Sequence, residues 1–333
     1  ALFTPRETTR GKLVWSVGLF AGEGKTYGPA FGVNGASEYH KGTDGRQIRI
    51  PLDVGENPPN GAIIYYKLPK DSSGPVTITI KDEFGATVFS VRGDDEETAV
   101  DKRPTALVGL NRFVWDLKHE GPTRIDPSLV ALRNKPFTKS RGGPAGPAAM
   151  PGAYSVELAV HGTTRAASFT IVKDPRLATT DADFRAQHEL WRLLADALGN
   201  LNDSVNRIRR MKKLLLPLSE RLAINNTSLS ARASGIAEKL SDIEAVMVDT
   251  KRESPRDVLR HPAGLDDTLG DLIGVTSIAD AAPPSQAREV ADEIVGLVTK
   301  LIAEFDTLVE GEIAGLNADL RGAGIDFIGS TEG

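Results

Sequence analysis

The 333-residue sequence contains no cysteine, which excludes disulfide scaffolds, thiol nucleophiles and cysteine-based zinc or iron–sulfur sites. It also lacks an excess of basic charge. Its 40 basic and 45 acidic residues give a formal net charge of -5, which disfavours nucleic acid as a partner. No apolar run reaches about 18 residues, so no membrane span is expected. Aromatic residues make up 6% of the chain, a sparse supply for stacking on sugars.

The first half of the chain contains apolar residues that alternate with a period of two, as in β-strands. The segments with this pattern are 62–68, 76–80, 86–91, 110–117, 154–160 and 167–172. Their number and spacing over residues 55–175 predict an immunoglobulin-like or fibronectin-like β-sandwich. The first three segments are expected to form a β-meander.

Two details of these strands concern individual side chains. The alternation places Asn111, Phe113 and Trp115 on one face of their strand, and we expect Trp115 to lie in the core. Because Tyr65 and Tyr66 are adjacent in a strand, one of them must face outward.

Two stretches of the first half are not typical of sandwich strands. Residues 1–54 are rich in glycine, and we expect an extended segment that lies against another surface, with one strand near its end. Residues 136–152 contain four prolines and four glycines, too many for a helix or a central strand. This stretch is therefore expected to be a surface loop.

After Pro175 the period changes to about 3.5, which is typical of packed amphipathic helices. Three apolar series have this spacing: Trp191, Leu194, Leu198, Leu201, Val205 and Ile208; Leu229, Ile236, Leu240, Ile243 and Met247; and Val290, Ile294, Leu297, Leu301, Phe305 and Leu308. They predict an antiparallel three-helix bundle over residues 176–322, followed by a tail at 323–333. A short extra helix is expected around residues 265–273.

Further details of the helical half follow from the same pattern. Thr180 or Asp181 is expected to cap the first helix. Pro217, like the other prolines of this half, is expected at or between helix ends. Val298, Ile302 and Val309 stand beside the third series, and we expect them to offer an apolar face to a protein partner.

Several segments resemble functional motifs without meeting their requirements. Gly18 and Gly24, before Lys25-Thr26, are separated by five residues, whereas a phosphate loop needs four, and the sequence that follows does not favour a helix. His119-Glu120 lacks the second histidine of a zinc motif, and His188 is expected at the bundle edge.

Two charged runs have a simpler interpretation than a binding site. The acidic run 94–97 lacks the alternating order of a calcium loop and is expected to be a solvated hairpin tip. The basic cluster at 207–213 is expected to form a solvated helix face. No catalytic, cofactor-binding or metal-ligating residue is therefore assigned, and the ligand-binding residues stay open.

Five segments occur in a characteristic order: Leu2-Phe3-Thr4-Pro5-Arg6 with Thr9-Arg10, then 55–61 with Ile64-Tyr65-Tyr66, then 109–117, then Pro151-Gly152-Ala153-Tyr154, then Asp174-Pro175-Arg176. Together they resemble the carboxy-terminal region of bacterial sortilin-like β-propeller proteins that carry the name glycosyl hydrolase. The resemblance implies a parent protein with an amino-terminal propeller, which bears any hydrolytic or ligand-binding centre, and a secretory signal. The chain is accordingly expected to be a piece of a longer protein located in the periplasm or outside the cell.

The leading interpretation is a non-catalytic accessory region. Its β-sandwich is expected to pack beside the propeller, and its helix bundle to mediate assembly or contact with a protein partner. One alternative is a glycoside hydrolase whose cleft includes loops of this chain, foremost 136–152. Another is a carbohydrate- or peptide-binding module. No cofactor is expected under any of these three interpretations.

Overall fold

The structure is a computed structural model that describes residues 1–11, 23–26, 36–41, 47–52, 59–70, 72, 74–96, 98, 102–129, 145–251 and 260–325. It is a mixed α/β structure with several sheets and helices, including one long helix. Contacts divide the chain into two compact units. We call residues 1–118 and 149–178 the sheet unit, and residues 119–148 and 179–333 the helical unit.

The strands follow the alternating segments closely. Within the described residues they are β1 (Thr8–Arg10), β2 (Gly24–Thr26), β3 (Ser37–Lys41), β4 (Gln47–Pro51), β5 (Ala62–Leu68), β6 (Thr77–Lys81), β7 (Thr87–Arg92), β8 (Gly109–Trp115), β9 (Gly152–Val160) and β10 (Thr163–Lys173). In β5 every second side chain is buried. Tyr66 is therefore fully buried while Tyr65 is 41% exposed, which confirms that one of the pair faces outward.

The strands pair in three sheets. β1, β10, β9, β6 and β7 lie side by side in that order, β5 pairs with β8, and β2, β3 and β4 form a small separate sheet. β1 runs parallel to β10, and the other pairs are antiparallel. The predicted β-meander is confirmed for β6 and β7, which pair across the turn between them, and wrong for β5, which pairs with β8. Alternation shows which face of a strand is buried, but it does not show which strand lies beside it.

One hydrophobic core is shared by the five-stranded sheet and the β5–β8 pair. Trp115 of β8 is 1% exposed and lies 5.8 Å from the ring centre of Tyr154 and 6.3 Å from that of Phe169, both in the other sheet. Its indole Nε1 donates to the Lys118 carbonyl at 2.8 Å. The prediction that Trp115 lies in the core is confirmed.

The beginning of the glycine-rich segment 1–54 belongs to the sheet unit. Leu2 forms a bridge to Tyr66 of β5, and β1 then pairs with β10, so residues 1–10 contact the β5–β8 pair and the five-stranded sheet. The Gly-Lys-Thr sequence at 24–26 forms β2 rather than the start of a helix. Residues 18–22 of the phosphate-loop-like segment lie outside the described residues, as do residues 136–144 of the predicted loop and 326–333 of the tail. The prediction of a surface loop is wrong for Ala149, which is 0% exposed and whose N–H donates to the Leu117 carbonyl at 2.7 Å.

The helical unit contains α1 (Asp181–Asn225), α2 (Thr227–Met247), α3 (Leu265–Thr276), α4 (Ser285–Leu308), a π-helical turn (Val309–Ile313) and α5 (Ala314–Gly322). The predicted cap is confirmed: the Thr180 hydroxyl accepts from the Asp183 N–H at 3.2 Å, and the Asp183 carboxylate accepts from the Thr180 N–H at 2.8 Å. α3 confirms the predicted short helix. Pro217 lies inside α1, so its expected place at a helix end is wrong.

The apolar series of α1 and α2 face the core as predicted, and every member is buried. The third series is confirmed for Ile294, Phe305 and Leu308, which are buried. It is wrong for Val290 and Leu297, which are 45% and 47% exposed, whereas Val298 is 2% exposed. Ile302 and Val309 also pack against this core. The predicted partner-binding face is therefore wrong, because α4 and the π-helical turn direct these residues towards the core, with Ala287 and Ala291 also in the buried seam of α4. A series chosen by large side chains misses these small residues.

Candidate interaction surface

The outer face of the β5–β8 pair and the turn before β8 carry large exposed apolar side chains. Phe3, Tyr65, Leu107, Val108 and Leu110 expose between 41% and 66% of their surface. We call these five residues the apolar surface. Single exposed apolar residues are common, whereas exposed apolar residues grouped in one patch mark sites of contact with other proteins.

The register of the strands groups the members of this surface. Leu110 lies opposite Lys67, and Tyr65 lies opposite Arg112, so Tyr65 and Leu110 are diagonal neighbours on one face. The Phe3 N–H donates to the Tyr65 carbonyl at 3.0 Å, which places Phe3 beside that strand. The remaining two members, Leu107 and Val108, come directly before β8 in the chain.

Asn111 fixes the turn that carries Leu107 and Val108. Its side chain is 3% exposed, on the buried face of β8. Its Oδ1 accepts from the Leu107 N–H at 3.0 Å and from the Thr105 hydroxyl at 2.7 Å. Its Nδ2 donates to the carbonyls of Leu107 at 2.7 Å and Gly109 at 3.1 Å. Both donors and both lone pairs of the amide are used, so the turn is held in one conformation.

The Tyr66 hydroxyl ties the same turn to β5. It donates to the Thr105 carbonyl at 2.5 Å. Burial raises the pKa of Tyr66 above its ordinary value of 10.0, so the hydroxyl keeps its proton for this bond. Gly109 has a φ of 95°, which glycine adopts without strain. A turn held this way loses little conformational freedom when a partner binds.

Two cations stand among the apolar side chains. Lys67 and Arg112 are exposed on the same face as Tyr65 and Leu110. Neither forms an ion pair with the residues that the structure describes. The apolar surface therefore combines hydrophobic contact area with positive charge that is available to a partner.

Side chains that bind metal ions do not form a cluster in the described residues. Among them there is no group of three or more histidine, aspartate or glutamate side chains able to hold a metal ion. Asp94 of the acidic run pairs with Arg92 at 2.7 Å. No described helix has the length and hydrophobicity needed to cross a membrane.

The fold brings His119 and His188 together, with ring centres 4.9 Å apart. His188 Nδ1 lies 3.3 Å from the Ala148 carbonyl oxygen. The spacing of the histidines in the sequence gave no sign of this pair, because the two residues come from separate segments of the helical unit. A pair of imidazoles without a third ligand is not a metal centre of the usual kind.

The basic cluster of α1 holds helices together. Arg209 Nε and Lys212 Nζ donate to the carboxylate of Glu244 on α2 at 2.7 and 2.9 Å. Arg207 pairs with Asp306 on α4 at 3.1 Å. The predicted solvated face is wrong for Arg209 and Lys212, whose side chains are mostly buried against the 5%-exposed Glu244. Charge periodicity along one helix does not show carboxylates that a second helix brings near it.

No protein-family model, no curated protein and no solved structure matches this chain. The apolar surface is therefore defined by geometry alone. Sequence reasoning missed Leu107 and Val108, which belong to none of the alternating segments. The available signal was Asn111, a polar residue on the buried face of β8, because a buried amide requires partners and its nearest ones are in the preceding turn.

Proposed function

We propose that the chain is a non-catalytic interaction region of a larger secreted bacterial β-propeller protein, and that the apolar surface packs against the propeller. The observation that carries this proposal is the exposure of five large apolar side chains around a turn locked by Asn111. Exposing such side chains in water is unfavourable, and burying them against a partner recovers about 25 cal/mol for each Å² of apolar area. The resemblance to sortilin-like proteins supplies the propeller as that partner and a location outside the cytoplasm.

We further propose that the sheet unit is an immunoglobulin-like or fibronectin-like β-sandwich. Its order β10–β9–β6 on one sheet, opposite β5–β8 on the other, corresponds to the G–F–C and B–E strands of that fold. The Tyr154 hydroxyl, near the start of β9, donates to the Met150 carbonyl at 3.0 Å. This bond supports the proposal because it corresponds to the tyrosine corner of immunoglobulin-like domains.

The helical unit is proposed to be a three-helix bundle that mediates assembly or contact with a protein partner. α1, α2 and the continuous run from α4 to α5 supply three long helices around one core. Val290 and Leu297, two exposed apolar residues one heptad apart on α4, are the residues that we propose for this contact.

The proposal is tested by measuring the association of the chain with the propeller, produced separately from the upstream coding sequence. We expect Leu110→Asp to weaken association about tenfold or more, because a carboxylate would have to be desolvated in an apolar contact. Phe84→Asp is the matched control, because Phe84 is 87% exposed on the β6–β7 turn, outside the apolar surface. Calorimetry gives both affinities.

Two results would contradict the proposal: equal affinities for the two variants, or the lack of an in-frame propeller in the upstream DNA. The same material addresses the alternatives. The hydrolase would be favoured if adding the chain to the propeller increased the turnover of a polysaccharide and one substitution in the chain abolished that increase. Heat released on mixing the chain alone with polysaccharides or peptides, without turnover, would favour the binding module.

A further inference from the structure

Two antiparallel edge strands of the sheet unit, β7 and β8, differ in character. β7 is the last strand of the five-stranded sheet, and β8 has β5 as its one neighbour among the described strands. On β7 the exposed residues are Thr87, Ser90 and Arg92, the last paired with Asp94. Polar and charged residues of this kind protect an edge from pairing with other chains.

The edge of β8 is less protected, because Arg112 is its one exposed charged residue and its other exposed residue is apolar. Leu107 and Val108 are exposed directly before the strand, and Leu110 is exposed on the strand itself. Alternate residues of an edge strand direct their N–H and C=O groups away from the neighbouring strand. The Gly109 carbonyl accepts from the Asn111 side chain. Among the described residues, the other backbone groups of β8 form hydrogen bonds only with β5.

On these grounds we propose that β8 accepts an extended segment of the partner as an added strand, so that docking occurs by strand addition. This inference rests on the proposed function and specifies its geometry. Main-chain hydrogen bonds to β8 would supply part of the affinity, and side chains at alternate positions would supply the specificity. The locked turn before β8 holds the edge in position for this pairing.

The side chains of β8 indicate the chemistry of the added segment. Leu110, Arg112 and Val114 alternate along its outer face. Residues placed opposite them would be apolar, acidic and apolar in turn, because Arg112 and the nearby Lys67 are positively charged and neither forms an ion pair with a described residue. The pattern reads the same in both directions, so it holds for parallel and antiparallel addition.

The probe for this proposal is a blocked synthetic peptide with the repeat Val-Thr-Glu-Thr-Val, titrated against the whole chain by calorimetry or fluorescence anisotropy. We expect saturable binding. Replacing the glutamate by lysine is expected to weaken binding about fivefold or more, and Arg112→Glu in the protein is expected to reverse this preference. Arg92→Glu, a charge reversal on the edge strand β7, is the matched control and is expected to leave binding unchanged.

N-methylation of the peptide tests the backbone pairing directly. Methyl groups on one alternate set of peptide nitrogens should abolish binding, whereas the other set should be tolerated, because an added strand uses every second N–H. Strand addition would be overturned if the peptide did not bind the wild-type chain, or if Arg112→Glu and Arg92→Glu had equal effects. It would also be overturned if both sets of N-methyl groups were tolerated, or if both abolished binding. Association with the propeller that persists in such a case would leave the proposed function standing and exclude only this geometry.

Discussion

Asn111 is the residue on which the shape of the apolar surface depends, because its amide makes four hydrogen bonds to the preceding turn. We predict that Asn111→Leu lowers the free energy of unfolding of the sheet unit by about 3 kcal/mol, since it removes four hydrogen bonds and leaves partly buried backbone groups of the turn without partners. Arg112→Leu, at the adjacent exposed position, should change it by less than about 0.5 kcal/mol. Urea unfolding of both variants measures the difference.

Hydrogen exchange separates this effect from a general loss of stability. The Leu107 amide, which donates to Asn111, should lose its protection in Asn111→Leu even where the β9 and β10 amides keep theirs. A Leu107 amide that stays protected in the variant would show that the turn is held by something other than this side chain.

Tyr154 makes the sheet unit sensitive to alkali. Burial, the largest cause, raises the pKa of its hydroxyl from 10.0 to about 12. The unfolded chain therefore ionises before the folded one does, so the contribution of Tyr154 to stability is complete below pH 10 and is lost as the pH rises from 10 towards 12. We predict that Tyr154→Phe shows a smaller decrease in stability over this range than the wild type.

The measurement is urea unfolding at a series of pH values, together with tyrosinate absorbance of the folded protein. Some alkaline sensitivity should remain in Tyr154→Phe, because burial also raises the pKa of Tyr66. The variant should be less stable than the wild type at neutral pH, since it loses the bond to Met150. Identical alkaline profiles of the two proteins would contradict the assignment.

At the scale of elements, periodicity located the strands but not their partners. The segments 62–68 and 110–117 were recognised separately, and nothing in either sequence states that they pair. Pairing depends on which apolar faces can close over one core, here around Trp115, and this is a property of the whole unit. The exposed edge of β8 was unpredictable for the same reason, because a strand becomes an edge only when all the others have been placed.

For helices the sequence was more informative about faces than about ends. Two apolar stripes matched buried seams, since a helix shows its whole buried face within a few turns. α1 nevertheless continues through Pro217 to Asn225. Packing against α2 along the same face outweighs the lost hydrogen bond of one proline, a balance that local propensity does not contain.

At the scale of the whole molecule, neither unit is a continuous stretch of chain. After β8 the chain enters the helical unit, where Asn202 Nδ2 donates to the Thr123 carbonyl at 2.7 Å. Asn206 donates to the Arg124 carbonyl at 3.0 Å and accepts from the Asp126 N–H at 2.8 Å. The partly buried Ile125 packs against the helical core. Residues 122–126 thus act as a strap along α1, which the sequence-based boundary at 175 placed with the strands.

We predict that residues 179–333 produced alone are less stable than the helical unit of the intact chain by about 3 kcal/mol, because they lack the three hydrogen bonds of the strap and its apolar contact. A synthetic peptide of residues 119–129 should restore part of this stability, and the gain should rise with the logarithm of its concentration above its Kd, as for any ligand specific for the folded state. In the intact chain, Asn206→Leu should reproduce part of the loss. Urea unfolding followed by the circular dichroism of the helices measures each case. Two results would show that the strap does not stabilise the helices. One is a fragment as stable as the helical unit of the intact chain. The other is equal stabilisation by the peptide of the fragment and of its Asn202→Leu, Asn206→Leu variant.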